Sequence, residues 1–78
     1  MTGVLKRTPH ALLDAVNARL GLENDTVLAK RLGMAPSGIS KIRRGHNRVT
    51  PEIILRVYDL TGWSIEDIRK LINNYRGY

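Results

Sequence analysis

The stretch Thr26-Val27-Leu28-Ala29-Lys30-Arg31-Leu32-Gly33-Met34-Ala35-Pro36-Ser37-Gly38-Ile39-Ser40-Lys41-Ile42-Arg43-Arg44-Gly45 decides how this chain folds. Leu28 and Leu32 recur one helical turn apart, and the glycine after them can take the left-handed conformation that closes a helix. Pro36 then opens a second helix, because at the first helical position its missing N–H costs nothing. Ile39 and Ile42, three apart, give that helix a buried side, and Ala29 is small enough to let the two helices approach closely. The stretch predicts two short helices meeting at a tight turn, the second running from Pro36 to about Arg44.

On a wheel at 100° per residue, with the buried direction set between Ile39 and Ile42, Ser37, Ser40, Lys41 and Arg44 fall within about 50° of the opposite pole. Pro36 and Arg43 lie on one flank and Gly38 on the other. The outward surface is small at its start and cationic toward its end, a shape suited to the major groove of DNA. That groove admits an α-helix, in which Ser can bond either base type, Lys or Arg can bond guanine, and both cations can hold phosphates.

Charge in the surrounding chain points the same way. Thirteen Lys and Arg stand against seven Asp and Glu, for a net +6, and no acid occurs between Asp25 and Glu52. Lys30, Arg31, Lys41, Arg43, Arg44 and Arg48 occupy that acid-free stretch, which raises a positive potential suited to phosphate.

Outward from the central pair the same punctuation predicts three more helices and no strands. The first is expected from Thr8-Pro9 to just before Gly21, with Leu12, Leu13, Val16 and Leu20 as its buried stripe. The second of the five starts near Asn24 or Asp25 and spans about eight residues. The fourth runs from Thr50-Pro51 to before Gly62, with Ile53, Ile54, Val57 and Leu60 inward and Arg56 and Asp59 outward. In the fifth, Ser64 and Asp67 form a capping box, Trp63 staples onto Ile68, and Ile65, Ile68, Leu71 and Ile72 face the core. The expected organisation is a flexible arm over residues 1–7, one domain over 8–73 and a tail over 74–78.

Several functions are disfavoured by what the 78 residues contain. A chain this short holds one core and no deep cleft between domains, and with no cysteine it has no disulfide framework, thiolate metal site or cysteine nucleophile. No apolar run reaches the ~18 residues of a membrane span, and Met1 to Arg7 lacks the apolar stretch of a signal peptide, so a cytoplasmic location and no membrane partner are expected. Gly33 to Ser40 has the two glycines of a phosphate loop, but Ile39 stands where the lysine should be and no strand precedes it. His10 and His46 are far apart and beside no carboxylate at metal-binding spacing. No catalysis, cofactor, metal or small-molecule ligand is expected.

Leu28-Ala29, Leu32-Gly33, Ile39, Ile42 and Arg44-Gly45, with Thr50-Pro51, the Tyr58-to-Gly62 helix end and Ser64 to Ile68, resemble the framework of phage-repressor and Cro-like (XRE) helix-turn-helix regulators over roughly residues 9 to 72. The resemblance implies an all-α, five-helix, lambda-repressor-like domain whose third helix reads DNA. It implies base-facing places at Pro36, Ser37 and Lys41, neighbouring base or backbone contacts at Ser40 and Arg44, and a phosphate contact at Asp25 or Thr26. His46, Asn47 and Arg48 match a loop that approaches the DNA backbone. Three positions depart from the family pattern. Pro36 offers no donor, so reading at the helix start falls to Ser37 or to contact with a thymine methyl. Arg43 replaces an acid, which adds charge to the interface and removes an internal ion pair. Gly38 costs about 1 kcal/mol against alanine, so DNA or Leu28 must approach it closely or the helix must be loose.

These features lead to the expectation of a sequence-specific DNA-binding regulator, repressor or Cro-like, acting as a homodimer whose fifth helix and Tyr75 form the dimer face. About five phosphate contacts per subunit would give a log–log salt slope near −4.5. Two other readings remain open: a protein-interaction module on the same fold, marked by exposed apolar residues on the fifth helix or the tail, and non-specific architectural binding.

Overall fold

Asn24, extended at φ −161°, accepts the Val27 N–H on its side-chain oxygen, and Gly33 at φ +70° returns its own N–H to the carbonyls of Ala29 and Lys30. These two local devices bound the helix Asp25–Leu32, and Pro36 starts the next one, Pro36–Arg43, after a turn of three residues. The computed structural model describes residues 10–73, and within them the chain forms five helices and no strand: α1 (Ala11–Leu20), α2 (Asp25–Leu32), α3 (Pro36–Arg43), α4 (Pro51–Thr61) and α5 (Ile65–Asn73). The fold is all-α. The arm and tail expected at residues 1–7 and 74–78, with Tyr75, lie outside the described residues.

Four of the five starts fall where the sequence places them, because each is set by residues next to it. Thr50 Oγ1 accepts the Ile53 N–H ahead of Pro51, and Ser64 Oγ accepts the Asp67 N–H at 3.1 Å, the forward bond of the capping box. The first start differs. α1 begins at Ala11, and its cap is His10, whose ring Nδ1 takes the Leu13 N–H at 3.5 Å. His10 is buried, so packing holds the ring where a hydroxyl cap was expected. The expected cap, Thr8, lies outside the described residues with Pro9.

The core draws on every helix. Leu12, Leu13 and Val16 of α1, Leu28, Ala29 and Leu32 of α2, Ile39 and Ile42 of α3, Ile53 and Val57 of α4, and Ile68 and Ile72 of α5 are buried together, with Val49 pinning the α3–α4 loop. Ile54, Leu60, Trp63, Ile65 and Leu71 cover its edge. Packing is strongest between α2 and α3, while α1 and α4 each rest on α5. Thr61, buried at the end of α4, satisfies its hydroxyl by donating to the Val57 carbonyl at 2.7 Å and accepting the Trp63 N–H at 3.1 Å. None of the described helices is long and apolar enough to cross a membrane.

Two glycines near the turn have close neighbours that the sequence did not show. A Cβ on Gly33 would stand 2.6 Å from Nη1 of Arg56, whose guanidinium therefore lies over the turn. A Cβ on Gly38 would stand 2.7 Å from the Met34 methyl. The close neighbour of Gly38 within the protein is thus Met34 from the turn, in place of the expected Leu28. Gly33→Ala is expected to cost about 1–2 kcal/mol from left-handed strain, plus the displacement of Arg56. Gly21 has nearly the same φ (+67°) and nothing within 4 Å of a Cβ, so Gly21→Ala isolates the strain. Urea unfolding should show Gly33→Ala to be the more costly of the two; equal losses would mean that Arg56 contributes nothing there.

Candidate nucleic-acid interface

The amphipathic spacing of α3 sorts its side chains as the wheel predicts, with one exception. Ile39 and Ile42 are buried against α2, and Pro36, Ser37, Ser40, Lys41 and Arg44 are exposed. The exposed surface of α3 and its C-cap therefore carries neutral and cationic groups and no acid. Asn47 and Arg48 are exposed in the loop that follows, as is His46. That loop is held against the helix end: the N–H groups of His46 and Asn47 both donate to the Lys41 carbonyl, at 2.8 and 3.3 Å, and Gly45 turns at φ +80° between them and α3. Val49 anchors its far end in the core.

The exception is Arg43. Expected on the DNA-facing flank, it is 3% exposed and points inward. Its Nε donates to Asp25 Oδ2, its Nη2 donates to Asp25 Oδ1 at 3.0 Å, and Nη2 also lies 2.8 Å from Asp14 Oδ1. At 70° from the buried direction a long side chain can turn either way, and two carboxylates decide the matter by offering a fork-shaped cation its complement. Burial opposes the charge on Arg43, and the bonds from Asp25 and Asp14 more than offset this, so its pKa is raised. The internal ion pair thought to be lost with an arginine at this position is therefore present. Arg43 is unavailable to a duplex.

The same contacts sort the two candidates at the start of α2. Asp25 is engaged with Arg43, while Thr26 is exposed. The first residue of α2 is thus bonded to the last of α3. Sequence reasoning missed the polar group behind this junction. Asn17 Nδ2 donates to Asp25 Oδ1 at 3.1 Å, Asp14 meets Arg43, and His10 lies beside both. His10, Asp14 and Asn17 recur at spacings of four and three, which makes one stripe of α1 beside its apolar one. That spacing was the available signal.

His10 carries a pH consequence. Burial lowers its pKa below the ordinary 6.5, the neighbouring Arg43 lowers it further, and Asp14 opposes them. The fold favours the neutral ring, so the unfolded chain binds the proton first. Stability is complete above pH 6.5 and is lost as pH falls below it through the folded-state value. His10→Asn, which keeps a capping acceptor, should flatten the fall in urea midpoint between about pH 7 and 5. An unchanged profile would assign that fall to other groups.

No family model matches the chain, and neither does a curated protein or a solved structure. The interface accordingly has to be judged by its own geometry. Among the described residues no group of three or more His, Asp or Glu is placed to hold a metal ion.

Proposed function

We propose that this protein binds double-stranded DNA sequence-specifically, as a small transcriptional regulator of the repressor or Cro-like type, with α3 in the major groove. The observation that carries this reading is the exposed face of α3, where Ser37, Ser40, Lys41 and Arg44 project from a helix whose opposite side is buried by Ile39 and Ile42. Two short hydroxyl side chains at one end allow close approach to base edges, and two cations at the other can bond guanine or hold phosphates. Asn47, Arg48 and Thr26 extend the polar surface beyond α3 toward the DNA backbone. One module of this size covers about 600–1,000 Å² of protein surface on DNA, which favours a homodimer on half-sites one helical turn apart.

Selection of bound sites from a random duplex pool tests the reading. The expected result is an enriched palindrome, with Lys41→Ala relaxing preference at one position in each half-site at a cost of about 1–3 kcal/mol. Retention without enrichment would make the protein an architectural binder. No retention even in dilute buffer would leave the protein-interaction reading. Among the described residues the large exposed apolar side chains are Val27 on α2 and Leu55 and Tyr58 on α4, none of them on the fifth helix.

A further inference from the structure

We infer that Arg43 is a positioning residue: buried and tied to Asp14 and Asp25, it fixes the roll of α3 and so governs discrimination between DNA sequences more than affinity for DNA. Resting on the DNA-binding reading above, this follows from how a two-turn helix is held. Ile39 and Ile42 stand one turn apart, and two apolar anchors define a line about which α3 can still rock. Arg43 is the third buried point on α3. It is also the point that joins α3 to two other helices, through Asp14 in α1 and Asp25 at the start of α2, with Asn17 of α1 bracing Asp25. A planar guanidinium bound through several donors resists rotation in a way that a contact between methyl groups does not.

The lever arm makes this tie matter at the reading end. Ser37 lies on the far side of a helix about 10 Å across, so a roll of about 10° about the buried line moves it by about 1.7 Å. A polar contact of fixed geometry is lost when its groups shift by more than about 0.5 Å. Arg44 and Arg48 reach out on long flexible chains that can follow a phosphate through such a shift. Loosening Arg43 should therefore spoil base reading and leave phosphate binding in place.

The test compares binding of the full chain to a duplex enriched by selection and to a scrambled duplex, at a temperature where circular dichroism shows native helix content. In Arg43→Gln the ratio of the two affinities should fall by at least about tenfold, while affinity for the scrambled duplex stays within about twofold. Arg43→Lys, which keeps the charge without the fork, should lose less. Asp14→Asn alters a carboxylate that is 44% exposed and leaves Arg43 in place, so it supplies the decision if the Arg43 variants do not fold; its ratio should fall by about threefold. An unchanged ratio in folded variants would make Arg43 a purely structural residue and overturn the inference. Equal losses on both duplexes would also overturn it, by making Arg43 a phosphate contact. Failure of the native chain to retain any duplex would remove the DNA reading itself, and the inference with it, before a variant is measured.

Discussion

Asp25→Ala is expected to destabilise the fold by about 3 kcal/mol, although the residue contributes nothing to the apolar core. The substitution leaves a guanidinium whose side chain is 4% exposed without the carboxylate that takes two of its donors. Stranding a buried charge costs about 3–5 kcal/mol, and the remaining bond to Asp14 holds the cost toward the lower end. Asn17 loses an acceptor at the same time, and the first turn of α2 loses a favourable charge at a helix N-terminus. A domain of this length is stable by about 4–12 kcal/mol, so the loss is a large part of the whole. Asp14→Ala is the control. Its carboxylate is 44% exposed and Asp25 stays bound to Arg43, so about 1 kcal/mol is expected. Urea unfolding of the two variants measures the difference, and equal small losses would mean that the buried arginine is not the centre of the junction.

The junction also marks the limit of what the sequence disclosed. Helix ends were legible wherever the device is local, as at Asn24, Gly33, Pro36, Thr50 and Ser64, since each acts on groups within four residues. The exposed set on α3 was legible because Ile39 and Ile42 fix the buried direction of a short helix and so fix its opposite. Flank positions carry no such constraint. Arg43 turns inward because of a carboxylate 18 residues away and another in a different helix, and periodicity within α3 contains no information about either. His10 was hidden in the same way, since a histidine serves as a helix cap here through burial against the junction it adjoins. Gly38 was legible as an anomaly, while its close neighbour, the Met34 methyl, belongs to the turn and lay outside the reading of α3 alone.

Moving Arg43 inside changes the expected electrostatics of binding. Five phosphate contacts per subunit would give a slope near −4.5, but the cations exposed on α3, its C-cap and the following loop are Lys41, Arg44 and Arg48. About three phosphates then set the slope at about −2.7 per subunit, and about −5.4 for a two-fold dimer. Between about 50 and 200 mM salt, the affinity of such a dimer should fall on the order of 10³-fold. Arg48→Ala should make the dimer slope shallower by about 1.8, since it removes one phosphate from each subunit. Arg43→Gln should leave the slope unchanged, because a guanidinium buried against Asp14 and Asp25 neutralises no phosphate. Salt titrations of the three proteins on one duplex separate cations at the interface from the one beneath it. A native slope near −4.5 per subunit, made shallower by removing Arg43, would return that residue to the DNA surface and contradict the burial on which its positioning role depends.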